Sequence, residues 1–110
     1  MIDISIVKNK DGFIYGFEIK GHSGYAKHGK DIVCAAISAL AYAAVGAVSE
    51  MTKVEADWNY KDGYMLYMIH SNILDVDKTI VKTILDAIVI GFKQVELSYK
   101  GYVKVRIKEV

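Results

Sequence analysis

From Ile32 to Val48 every position is apolar or small except Ser38. A run of that length is either a buried central helix or a membrane span. Alanine dominates it, which favours helix and permits close approach to a sheet or another helix. The run is slightly short for a membrane span and Glu50 follows at once. The expectation is therefore a central helix over about Ile32 to Thr52, buried nearly all round, and no membrane partner.

The segments around it are short and alternate. Ile2, Ile4 and Ile6 alternate with Asp3 and Ser5, Asn9-Lys10-Asp11-Gly12 makes a turn, and Phe13, Tyr15, Phe17 and Ile19 occupy one face of the next run. These read as a hairpin. Val54, Ala56, Trp58 and Tyr60 alternate with Glu55, Asp57 and Asn59, and Lys61-Asp62-Gly63 turns the chain into Tyr64 to His70, with Leu66 and Met68 inward. That is a second hairpin, in which Trp58, Tyr60, Tyr64 and Tyr67 serve cross-strand packing; Tyr42 reads as core. Val76, Ile80, Ile84, Ile88 and Phe92 recur every four residues beside Val81, Leu85 and Val89, an amphipathic helix ended at or shortly before Gly101. Val103, Val105 and Ile107 then alternate with Lys104, Arg106 and Lys108, which with Lys100 make a basic stripe best read as a solvated face. The order ββαββαβ predicts an α+β fold: one domain over residues 1–110, a largely antiparallel sheet and two helices packed on one face.

Composition narrows the setting. At 110 residues the chain can bury one core without disulfides or a structural metal. A net charge of +1 gives no reason to expect direct nucleic-acid binding. The single cysteine cannot form an internal disulfide, and Met1 leads directly into a strand rather than an export signal, so a reducing, cytoplasmic location is expected.

That one cysteine, Cys34, falls in the first turn of the apolar helix, with Asp31 as N-cap and Ile32 and Val33 as the first helical residues. A helix N-terminus favours thiolate, the form of cysteine that attacks. Lys27 and Lys30 add positive charge nearby, and His22 or His28 offers an imidazole to take the proton. The Asp31 carboxylate opposes this in part unless it is occupied by the N–H groups of Val33 or Cys34. The plainer alternative is a small apolar filler, since free cysteine is often buried and inert. The loop before the helix argues against it. Gly21, Gly24 and Gly29 supply no core side chains, so three of them around two histidines indicate a segment that moves or meets a ligand closely.

Two other motifs occupy the same loop. Gly24-Tyr25-Ala26-Lys27-His28-Gly29-Lys30 satisfies the glycine and lysine positions of a phosphate-binding loop, but Asp31 stands where a Ser or Thr must hold magnesium. His22, His28 and Cys34 recur at equal intervals and zinc accepts all three, with His70 as a fourth ligand only if the fold delivers it. That spacing is not a standard zinc pattern, and neither a metal nor another cofactor is expected.

Gly21-His22-Ser23-Gly24, a short loop and Gly29-Lys30-Asp31-Ile32-Val33-Cys34-Ala35-Ala36 together resemble the ribosomal-processing cysteine proteases called Prp. Their pattern is Gly-His-x-Gly, a loop, then Gly-x-Asp-x-Val-Cys-Ala-Ala at a helix start. Ser38, one turn beyond the cysteine, matches too. The resemblance implies a His22 and Cys34 catalytic dyad, with Gly21, Gly24, Gly29, Asp31 and Ser38 in support, an α+β fold and a homodimer. It also implies the substrate: the precursor of a large-subunit ribosomal protein, relieved of a short N-terminal extension after an apolar stretch ending in Phe.

By this reading His22 takes the Cys34 proton, the thiolate attacks a peptide carbonyl, the imidazolium protonates the departing amine, and water releases the acyl-enzyme. The Cys34 N–H and loop N–H groups near Gly21 to Gly24 are the expected oxyanion donors. The rival reading is a non-catalytic, ribosome-associated or redox-regulatory module in which Cys34 is structural.

Overall fold

A computed structural model describes residues 1–110. The elements run β1 (Ile2–Lys8), β2 (Ile14–Lys20), α1 (Ile32–Met51), β3 (Ala56–Lys61), β4 (Tyr64–Ile69), α2 (Asp75–Ser98) and β5 (Val103–Glu109). The five strands form one sheet in the order β3-β4-β2-β1-β5. Only the β1–β5 pair is parallel, because α2 carries the chain across the sheet before β5 begins. The ββαββαβ order and the two-helix α+β architecture are as expected.

One core fills the space between sheet and helices. Ile2, Ile4 and Ile6 of β1 and Phe17 and Ile19 of β2 are buried with Val33, Ile37, Ala41, Ala44 and Val48 of α1 and with Val81, Leu85, Val89 and Phe92 of α2. Phe17 sits at the centre, its ring 5.5 Å from Phe92 and 5.6 Å from Tyr67. Gly16 is obligatory beside it: a Cβ there would lie 1.9 Å from the Tyr67 carbonyl oxygen, so any side chain would force β2 and β4 apart.

Four details depart from the sequence reading. In β4 the buried residues are Met65, Tyr67 and Ile69, whereas Leu66 and Met68 are half-buried. All six positions of β4 are apolar or aromatic, so alternation carries no phase, and register decides. Phe17 pairs with Tyr67 and Ile19 with Met65, which turns those two toward the helices with their partners.

In β2 the register slips between Val7 and Lys8. The slip buries Ile14 with Phe17 and Ile19 and leaves Phe13 and Tyr15 half-buried, so the expected single face breaks there. The α2 stripe is likewise turned by one position: Val81, Leu85, Val89 and Phe92 form its buried centre and Val76 is exposed.

The largest correction concerns α1. Its girth is not buried all round: only Val33, Ile37, Ala41, Ala44 and Val48 are fully buried. The sheet and α2 cover one side alone, since a two-layer fold has nothing to place on the other. Tyr42 is therefore on the surface, 42% exposed, against Trp58 and Tyr60 of β3 at ring distances of 6.4 and 5.7 Å.

Candidate active site

Antiparallel pairing of β2 with β4 sets Lys20 opposite Tyr64. The loop leaving β2 therefore starts beside the turn entering β4, and the Gly21 N–H donates to the Gly63 carbonyl at 2.9 Å. Gly63 has φ +72°, and a Cβ there would stand 3.1 Å from Nε2 of His22. The bare glycine is what seats the imidazole. Nε2 of His22 also lies 3.7 Å from Oδ1 of Asp62.

From this seat the loop runs to the start of α1, and Asp31 joins the two. One carboxylate oxygen accepts the N–H groups of Val33 and Cys34, both at 3.0 Å. The other accepts the Ser23 hydroxyl, the Tyr25 N–H at 3.2 Å and the Ala26 N–H at 3.4 Å. Burial pushes the Asp31 carboxyl up, but the Ser23 hydroxyl and the Cys34, Ala26 and Val33 N–H groups outweigh it and hold it at about 2, below the ordinary 3.8. The expected N-cap is present, and it organises the loop as well as the helix. The Tyr25 ring ties the loop to the far end of α2, 5.6 Å from Tyr99 and 5.2 Å from Tyr102.

Cys34 is half-buried, and its Sγ accepts the Ser23 N–H at 3.4 Å. It opens into a cleft of about 620 Å³ bounded by the loop, the first turns of α1 and the β3–β4 turn. Gly21, His22, Gly24, His28, Gly29, Asp31 and Ser38 all line that cleft with it. The expected dyad and its supporting residues thus border one cleft, although His22 points at Asp62 and makes no hydrogen bond with Sγ. Ser38 faces the cleft but bonds neither to the loop nor to its own helix. Lys27 and Lys30 are exposed and lie outside the lining.

The fold redistributes the expected backbone donors, and it groups the histidines differently from their spacing in the chain. The Cys34 N–H is spent on Asp31 and the Gly21 N–H on Gly63, which leaves the His22 and Gly24 N–H groups as loop donors without a protein partner. The side chains whose ligand atoms come within 4.8 Å of one another are His22, His28 and Asp62, not Cys34. His70 is elsewhere, paired with Asp57 at 3.1 Å and Glu55 at 3.7 Å.

Sequence reasoning passed over Ser23, Asp62 and Gly63. Each acts only through the pairing of β2 with β4 or the fold-back of the loop onto Asp31, and no local pattern announces either.

The family model for the cysteine protease Prp matches residues 1–104. The ribosomal processing cysteine protease Prp of Bacillus subtilis is 27% identical over 107 residues, covering 96% of this chain and 96% of that protein. Its Staphylococcus aureus counterpart is 28% identical over 108 residues, covering 98% of this chain and 100% of that protein. The crystal structure of S. aureus Prp with a covalently linked product peptide superposes with a TM-score of 0.87 at 26% identity, over 98% of this chain and 100% of that one. With a substrate peptide bound, the S. aureus enzyme gives a TM-score of 0.81 at 25% identity, over the same shares of the two chains. Sequence and fold agree along the whole length, and the chain belongs to the cysteine protease Prp family.

Proposed function

We propose that this chain is an endopeptidase that removes the N-terminal extension from the precursor of a large-subunit ribosomal protein, with Cys34 as nucleophile and His22 as general base. The observation that carries the reading is a shared cleft. A thiol at the N-terminus of a long helix and an imidazole seated on a glycine border the same open space, with Gly24 and Gly29, both at positive φ, in the loop between them. Ile37, Tyr60 and Met65 line it too, which suits an apolar residue before the scissile bond.

The Ser23 N–H and the α1 N-terminus stabilise the thiolate left when His22 takes the proton. The His22 and Gly24 N–H groups are the donors free to meet the oxyanion. Because His22 rests against Asp62, the loop must swing its imidazole toward Sγ as the peptide enters; Gly21 and Gly24, at φ +90° and +72°, are the hinges. The test is incubation of this chain with the precursor ribosomal protein. Mass spectrometry should find one cut after the apolar stretch; an intact precursor after prolonged incubation removes the reading.

The same proposal includes a cytoplasmic homodimer. A lone free thiol stays reduced there. The uncovered side of α1 presents Ile32, Ala35, Ala39, Ala43 and Gly46, continuous with Tyr42 of the same helix and with Trp58 and Tyr60 on edge strand β3. Small side chains flanked by aromatics allow two helices to meet closely around a two-fold axis. Sedimentation should give a dimer for the native chain and a monomer for Trp58→Lys. A native monomer at micromolar concentration contradicts this arrangement.

A further inference from the structure

We propose that His22, His28 and Asp62 form a site for a first-row divalent metal ion of the Zn²⁺ class, and that a bound ion switches proteolysis off by occupying His22. The second half rests on His22 being the general base; the first half does not.

The donor set is two imidazole nitrogens and one carboxylate oxygen, the mixture that zinc accepts and that magnesium and calcium do not favour. All three ligand atoms lie within 4.8 Å of one another. Tetrahedral zinc with bonds of about 2.0–2.1 Å spaces its ligands roughly 3.4 Å apart. Nε2 of His22 and Oδ1 of Asp62 are already 3.7 Å apart. That edge of the site is set by backbone, since the Gly21 to Gly63 hydrogen bond and the bare Gly63 bring both residues to the β3–β4 turn when the loop is in its resting position. The third ligand is delivered by the loop: the His28 ring stands edge-on to that of His22, with centroids 6.0 Å apart. Rotation of exposed side chains, with Gly29 beside His28, supplies the remaining contraction of at most about 1.4 Å that zinc's bond lengths require.

Three protein ligands leave a fourth position open to the cleft. An ion held there ties the loop to the β3–β4 turn and takes the nitrogen lone pair that must accept the Cys34 proton. Metal binding and proton transfer compete for one atom. Cys34 has no part in the metal site, and this separates the proposal from simple capture of a thiolate by zinc.

The test begins with binding alone. Calorimetric titration of Cys34→Ala with ZnCl₂, and its absorption spectrum with Co²⁺, should show one ion per chain. His28→Ala and Asp62→Asn, each made in that background and both at exposed positions, should weaken binding roughly tenfold or more, as loss of one of three ligands requires. In the active chain Zn²⁺ should stop precursor cleavage over the same concentration range and EDTA should restore it. His28→Ala, whatever its own metal-free rate, should keep that rate when Zn²⁺ is added at the concentration that stops the native chain. No binding by Cys34→Ala at about 1 mM Zn²⁺ overturns the site, as does binding indifferent to both substitutions. Binding with the expected dependence beside unimpeded cleavage overturns the switch, and locates the fault in the role given to His22 rather than in the site.

Discussion

Cys34→Ala stays folded and loses precursor cleavage by about 10⁴-fold or more, because Cys34 is the one thiol of the chain and no other cleft group sits at a helix N-terminus ready to attack as an anion. The loop, α1 and the β3–β4 turn supply hydroxyls, imidazoles, carboxylates and the Lys61 amine around it, none of which matches a thiolate as a nucleophile without a partner to activate it. His22→Ala retains more, losing roughly 10²–10⁴-fold, since a thiol ionises without help once the pH is raised. The two losses should not multiply in the double variant, because the base has no task without its nucleophile. Stability should change by about 1 kcal/mol or less for Cys34→Ala, whose thiol is half-buried and makes one long hydrogen bond. Single-turnover cleavage and urea unfolding measure both sides. One equivalent of iodoacetamide, mapped to Cys34, should remove activity in step with modification. A structural Cys34 gives the opposite pattern: cleavage retained by both variants, stability lost, and alkylation only after unfolding.

The geometry behind this prediction was legible unevenly. The Asp31 cap and the position of Cys34 in the first turn follow from local rules, because capping depends on residues adjacent in sequence. The convergence of Gly21, His22, Gly24, Gly29 and Ser38 around Cys34 is visible as spacing, and through the family pattern that spacing matches. Asp62 and Gly63 were invisible as partners of His22, since they reach it only through the register that sets Lys20 opposite Tyr64. The same non-local choice decides which residues of β4 are buried, and a strand apolar on both faces cannot declare it in advance. For α1 the apolar run correctly implied a helix, while the burial nearly all round that it suggested is absent, because an apolar girth does not say how many layers the chain can set around it. Two layers of one chain hide a single stripe of it, and the exposed remainder is what the proposed dimer would bury.

Asp31→Ala should cost about 2–4 kcal/mol of stability, the largest effect at any single polar side chain near the site. Losing a helix N-cap costs about 1 kcal/mol, and here the same carboxylate also serves the Ser23 hydroxyl and the Tyr25 and Ala26 N–H groups. Each part-buried donor left without an acceptor adds about 1 kcal/mol where water cannot replace the bond. Asp31→Asn separates the two functions. Its carbonyl oxygen can still cap Val33 and Cys34, but its amide then turns N–H toward N–H at Tyr25 and Ala26, so the helix start recovers while the loop does not. Urea unfolding should place Asn between Asp and Ala, and amide exchange at Tyr25 and Ala26 should quicken in both variants. Cleavage should fall with the loop rather than with the helix. The pH dependence carries a sign. The native carboxyl titrates at about 2 and the ordinary group at 3.8, so the unfolded chain binds the proton first and acid favours unfolding. The advantage of the native chain over Asp31→Ala should therefore be full above pH 3.8 and shrink as the pH falls toward 2. An advantage that stays constant through that interval would mean the cap works without its charge.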